Sequence, residues 1–252
     1  MKAASVFKRA AMRVRSLRRN PISCYDIALS LVKNKSGLEI GGPSDVFSHR
    51  YSPLPIYKAV SSLDNCDTAE KTVWATHSGN YTFHPDKAPG KTIICDGSEL
   101  SVVADNSYDF ILSSHNLEHL ANPIKALKEW QRITRPGGGL ILVLPFYEKT
   151  FDHRRKPTPV SHMLDDFISA VKEDDLTHLP EILELHDLSM DLAAGNAEAF
   201  RSRSLDNFTN RCLHHHVFNE ANSRELLIQI GMTVLAVETA LPYHIFLLAR
   251  MP

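Results

Sequence analysis

The chain is poor in cysteine, and Cys24, Cys66, Cys95 and Cys212 stand too far apart to make a C-x-x-C pair. Such spacing argues against a zinc ribbon or a disulfide framework. A reducing cytoplasm is the expected compartment. No apolar run approaches the ~20 residues that a membrane-spanning helix needs, and the N-terminus has no continuous hydrophobic core of a signal peptide. Acids are missing from residues 1 to 19, which hold Lys2, Lys8, Arg9, Arg13, Arg15, Arg18 and Arg19. The net charge of -1 therefore hides a remainder with 21 basic against 29 acidic residues, a balance of -8. A body this acidic argues against a broad nucleic-acid footprint. Nothing else in the composition is unusual: 252 residues with 43% hydrophobic and 23% charged content can bury a full core, as one large domain or one domain with an insertion.

In the basic segment, Val6, Ala10, Val14 and Leu17 recur at helical spacing, which predicts an amphipathic helix over residues 3 to 19. Two readings stand: a solvated helix packed on the domain, or a peripheral membrane-surface or targeting element. Asn20-Pro21 ends the pattern, and a short helix over Cys24 to Val32 leads into the stretch Gly37-Leu38-Glu39-Ile40-Gly41-Gly42-Pro43-Ser44. Leu38 and Ile40 predict a buried strand, and the following glycines let backbone amides face a ligand directly. The full G-x-G-x-x-G spacing is absent, and Pro43 falls where a nicotinamide-binding domain carries a helix-opening residue.

Tyr57 to Leu63 predicts a second strand closed by Asp64, 25 residues after Glu39, the length of one βαβ unit. An acid at that place serves either as a turn residue or as an acceptor for both hydroxyls of a ribose, with Asp67 as the substitute if the strand ends later. Lys91 to Cys95 predicts a third strand followed by Asp96-Gly97-Ser98, and Tyr108 to Ser114 a fourth leading into His115-Asn116-Leu117-Glu118-His119. Asn122-Pro123 is a helix start, with Ile124, Leu127, Trp130 and Ile133 as its buried face. Leu140 to Leu144 is wholly apolar, as in the middle of a parallel sheet covered on both faces.

The series Asp96-Gly97-Ser98, Tyr108-Asp109-Phe110-Ile111, Leu117-Glu118-His119 and Arg135-Pro136-Gly137-Gly138 resembles the class I S-adenosylmethionine-dependent methyltransferases, particularly the small-molecule group. The resemblance covers residues 37 to 145, with a weaker echo from 214 onward. It implies an α/β fold: a doubly wound, mostly parallel, seven-stranded Rossmann-like sheet whose last strand runs antiparallel. It divides the chain into an N-terminal helical segment (1 to 36), a cofactor-binding core (37 to 145), an acceptor-side insertion or lid after the fifth strand (146 to 213), and a closing helix and strands (214 to 252). The implied cofactor is S-adenosylmethionine. Glu39, Gly41 and Gly42 would lie beside its methionine and ribose, Asp64 on the ribose hydroxyls, Asp96-Gly97 at the adenine, and Ser114, His115 and Asn116 on the methionine side. The departure is the glycine loop, where the family usually carries acid-x-G-x-G-x-G.

Residues 146 to 213 are too long for a plain connection. Between residues 153 and 216 lie seven of the thirteen histidines. His153 or His162 is the expected general base toward an acceptor hydroxyl, since imidazole titrates near working pH. A purely structural role for these histidines is the competing reading. No metal is expected, because no compact H-x-x-x-H or H-E-x-x-H spacing is present. His214 to Phe218 reads as a short strand, and Asn222-Ser223-Arg224-Glu225 as a capping box opening the last helix. The expected function is methyl transfer to a small molecule or sugar, at a hydroxyl, in the cytoplasm. A nicotinamide-dependent oxidoreductase and a non-catalytic binding domain of the same fold are the rivals.

Overall fold

A computed structural model describes residues 22–72, 76 and 79–252. The expected helix at 3 to 19 lies outside the described residues. The first described helix, α1 (Tyr25–Val32), buries Ala28, Leu31 and Val32 and precedes β1 (Ser36–Ile40) and the short α2 (Asp45–Ser48). Then come β2 (Ser62–Asp67), β3 (Asn80–Tyr81), β4 (Gly90–Ile94), β5 (Tyr108–Ser114), α3 (Pro123–Ile133) and β6 (Thr134–Pro145). Residues 146 to 213 hold α4 (Val160–Ile168), α5 (Leu179–Leu185), α6 (Ala197–Leu205) and α7 (Asn207–Asn210). The chain closes with α8 (Glu220–Gln229), β7 (Thr233–Ala240) and β8 (His244–Arg250).

The strands form one eight-stranded sheet in the order β3-β4-β2-β1-β5-β6-β8-β7. β4, β2, β1, β5 and β6 are parallel to one another, and β8 runs antiparallel to β6. The doubly wound fold is thus present, with one strand more than the seven expected: the two-residue β3, antiparallel on the edge beside β4. Chain order reverses between β1 and β5, and this is where open α/β sheets leave a crevice at the carboxyl ends of their strands. Both faces of the sheet are covered. Leu140, Leu142 and Leu144 pack with Ile124, Leu127 and the fully buried Trp130 on one side, while Ile141 and Val143 pack with Leu31, Phe47 and Phe246 on the other.

Three elements fall elsewhere than expected. The second strand begins at Ser62, after a 3-10 turn over Tyr57–Ala59. It runs through Asp64, Asn65 and Asp67 because each polar side chain finds a partner. Asp64 accepts the Lys91 amide at 2.8 Å and the Tyr108 hydroxyl at 2.9 Å, Asn65 accepts the Gly42 amide at 2.8 Å, and Asp67 accepts the Thr68 amide at 2.7 Å. Helix α8 is capped by Asn219, with Asn222 at its third position completing the capping box. The His214-His215-His216 segment forms no strand; its His215 amide bonds to the Glu118 carbonyl at 2.8 Å.

Candidate active site

A cleft of about 830 Å³ opens at the carboxyl ends of β1, β2 and β5. Gly41, Pro43, Ser44, Asp67 and Ser114 to Asn116 line its sheet side, and Lys149 to Phe151, Met190, Asp191 and Arg203 its insertion side. Gly41 has a left-handed backbone (φ 76°), and a Cβ there would come within 2.9 Å of Asn116 Nδ2. Glycine therefore keeps this wall of the cleft at bare backbone. Ser114 Oγ and Asn116 Oδ1 are buried, without a hydrogen-bond partner, at the same mouth. Buried polar atoms are almost always paired, so two unpaired ones lining a cleft point to a polar ligand there.

Of the expected cofactor contacts, the fold brings Gly41, Ser114, His115 and Asn116 together on this cleft and leaves five elsewhere. Glu39 is fully buried below it, accepting the hydroxyls of Tyr57 (2.6 Å) and Tyr81 (2.5 Å) and the Ser44 amide (3.2 Å). Burial pushes its carboxyl up to about 7, against the opposing effect of those three donors. Gly42 is a glycine for an internal reason: a Cβ would stand 2.4 Å from the Tyr81 hydroxyl and 2.5 Å from the Glu39 carboxyl carbon. Asp64 is a mid-strand cross-link, as its two partners show. The acid at the carboxyl end of β2, on the cleft, is Asp67. Asp96 accepts the Ser98 amide at 2.8 Å and Arg211 Nη2 at 3.1 Å, while the Gly97 carbonyl accepts Trp130 Nε1 at 2.8 Å.

Neither expected base reaches the cleft. His153 Nε2 meets Asp187 at 2.9 Å in a surface network shared with Arg154. His162 sits with Asp166, His178 and His216, its Nε2 3.1 Å from that of His178. Burial first, then His216 and His162, lowers His178 to about 4. The imidazoles on the cleft are His115, His119 and His214. His214 Nδ1 lies 2.5 Å from the Asp152 carboxylate. Asp152 is held down to about 2: His214 and Arg155 outweigh the upward push of burial. His119 is pushed down to about 4 by burial and by His214. Glu118 is 1% exposed between these rings, and neither carboxylate oxygen has a hydrogen-bond partner. Side chains that could ligate a metal, which chain spacing keeps apart, stand close together in the fold: His162, Asp166, His178 and His216 in one group, and Glu118, His119 and His214 in another. Spacing could not show them because each draws on distant segments.

Known proteins share the following likenesses with the chain. Residues 48–142 match the methyltransferase domain family. A stretch of 43 residues, 17% of this chain, is 49% identical to the ubiquinone/menaquinone biosynthesis C-methyltransferase UbiE of Bdellovibrio bacteriovorus, and spans 18% of that protein. Among solved structures, an S-adenosylmethionine-dependent methyltransferase of Mesorhizobium loti is 15% identical with a TM-score of 0.49, covering 91% of this chain and 98% of that one. An S-adenosylmethionine-dependent methyltransferase of Methanosarcina mazei is 14% identical with a TM-score of 0.48, covering 90% and 97%. Residues 48–142 thus resemble a methyltransferase domain, and the chain spans about a fifth of the length of the curated relative that it matches. Among the described residues, no helix is long and apolar enough to cross a membrane.

Proposed function

We propose that this protein transfers the methyl group of S-adenosylmethionine to a hydroxyl oxygen of a small molecule or sugar bound between the sheet and the insertion. The observation that carries this reading is the two-sided cleft. One wall consists of the strand ends of a methyltransferase sheet, and the other of Thr150, Phe151, Met190, Asp191 and Arg203 from the insertion. On the sheet side, Asp67 would accept the ribose hydroxyls, Gly41 would admit the cofactor to backbone contact, and Ser114 Oγ and Asn116 Oδ1 would accept from its ammonium group. A carboxylate-edged site suits a donor that carries a sulfonium and an ammonium.

In the reaction the acceptor oxygen forms a bond to the methyl carbon as the carbon-sulfur bond breaks. The bonding pair stays on sulfur, and the acceptor proton leaves. Alignment of the two substrates supplies most of the acceleration, up to ~7–11 kcal/mol. The proton falls to the group around His214, which Asp152 orients, and not to His153 or His162. The test is transfer of radiolabelled methyl from S-adenosylmethionine to a panel of sugars and phenols. Labelled ether products are expected, and label appearing only on carbon or nitrogen acceptors would overturn the oxygen assignment.

A further inference from the structure

We propose that Glu118, His119 and His214 bind a divalent transition-metal ion in the cleft, with open positions that take an oxygen of the acceptor. The three side chains each offer a ligand atom, all within 4.8 Å of one another. Donors on one ion with bonds of ~2.1 Å stand ~3.4 Å apart, so side-chain rotations of about an ångström complete the site. The supporting contacts already resemble those of metal sites. Ligating histidines usually donate the other ring N–H to a carboxylate or a carbonyl. His214 Nδ1 meets the Asp152 carboxylate at 2.5 Å, and His119 Nδ1 meets the Leu213 carbonyl at 3.0 Å. For His214 this contact leaves Nε2 as the ligating atom.

The stronger argument is Glu118. Its carboxylate is buried and both oxygens lack a donor. His115 Nδ1 is 3.6 Å away, beyond hydrogen-bond reach. A carboxylate buried without a donor to either oxygen is costly unless a cation stands against it. Two imidazoles and one carboxylate favour the borderline ion Zn2+, and Mn2+ less strongly, over Mg2+. All three residues line the cleft, so the open positions face the space where the acceptor would lie. An ion there would lower the pKa of a coordinated hydroxyl; with His214 then engaged as a ligand, the proton would pass to solvent in place of that ring before the oxygen takes the methyl group. This role, though not ion binding itself, rests on the methyl-transfer reading.

Calorimetric titration of the chelator-treated full chain with ZnCl2, MnCl2 and MgCl2 tests the proposal. The background is a His162→Gln/His178→Gln variant, which removes the other histidine group. One Zn2+ or Mn2+ per chain is expected, with Mg2+ at least tenfold weaker. Glu118→Gln and His214→Gln should each weaken binding tenfold or more, and Asp152→Asn by about 10- to 100-fold. Should a variant fail to fold, anomalous diffraction from wild-type crystals soaked in ZnCl2 gives an independent readout, with a peak expected between the three side chains. Absence of bound ion, affinity unchanged in Glu118→Gln, or a peak only at the His162 group would overturn the proposal. Parallel titration with S-adenosylhomocysteine separates the two readings. Nucleoside binding without an ion removes only the metal, and an ion without nucleoside binding removes only methyl transfer.

Discussion

Glu39 and Asp67 show how differently two acids can be used one strand apart. Glu39 is enclosed by tyrosines, and burial moves its carboxyl from 4.5 to about 7. Between those values the native state keeps a proton that the unfolded chain has released, so native protein binds more protons and stability falls as pH rises. The effect amounts to about 3 kcal/mol across the window. In urea unfolding, the stability of Glu39→Gln relative to wild type should therefore rise by about that amount between pH 4 and pH 8. An equal difference at both pH values would contradict the assignment. Asp64 makes a separate prediction, since its oxygens accept the Lys91 amide and the Tyr108 hydroxyl. Asp64→Ala should cost about 1–3 kcal/mol of stability. Its affinity for S-adenosylhomocysteine, measured on folded protein, should stay within twofold of wild type; a tenfold loss would return Asp64 to the cofactor site.

At the scale of elements, apolar strands and well-punctuated helices were legible in the sequence. β1, β5 and α3 lie where hydrophobic periodicity and Asn122-Pro123 placed them, and β6 spans the expected Leu140 to Leu144 but begins at Thr134, taking in the Pro-Gly-Gly stretch. β2 was misplaced because Asp64, Asn65 and Asp67 look like the end of a strand until the partners that Asp64 and Asn65 find on neighbouring segments are known. β3 carries too little pattern in two residues. The metal-ligand groups were hidden for a related reason: His119 and His214 are 95 residues apart in the chain. Asn122 joins two elements, accepting the Lys125 amide at 2.9 Å as the cap of α3 and donating to the Asp166 carbonyl at 3.1 Å at the end of α4. Asn122→Ala should lose about 1–2 kcal/mol in urea unfolding. A loss under ~0.3 kcal/mol would show that the cap and the tie carry no weight.

Across the whole molecule, the insertion is anchored to the core by buried charge as well as by packing. Arg155, fully enclosed, pairs with Asp152 at 2.9 Å and donates to the carbonyls of His214 and His215. Arg211 spans Glu173 at 2.6 Å and Asp96 at 3.1 Å, linking the insertion to the end of β4. Breaking a buried pair leaves an uncompensated charge, so Arg155→Ala should cost about 3–5 kcal/mol. A thermal midpoint unchanged from wild type would contradict that role. The same anchoring holds His214, through Asp152, on the cleft, so stability and the candidate site depend on one network. The central claim is that the strand ends around Gly41, Asp67 and Asn116 hold the nucleoside donor. Calorimetric titration with S-adenosylhomocysteine tests it most directly. One molecule should bind per chain, tenfold or more weakly in Asp67→Ala; no binding to folded wild type, or equal affinity in that variant, would contradict the account.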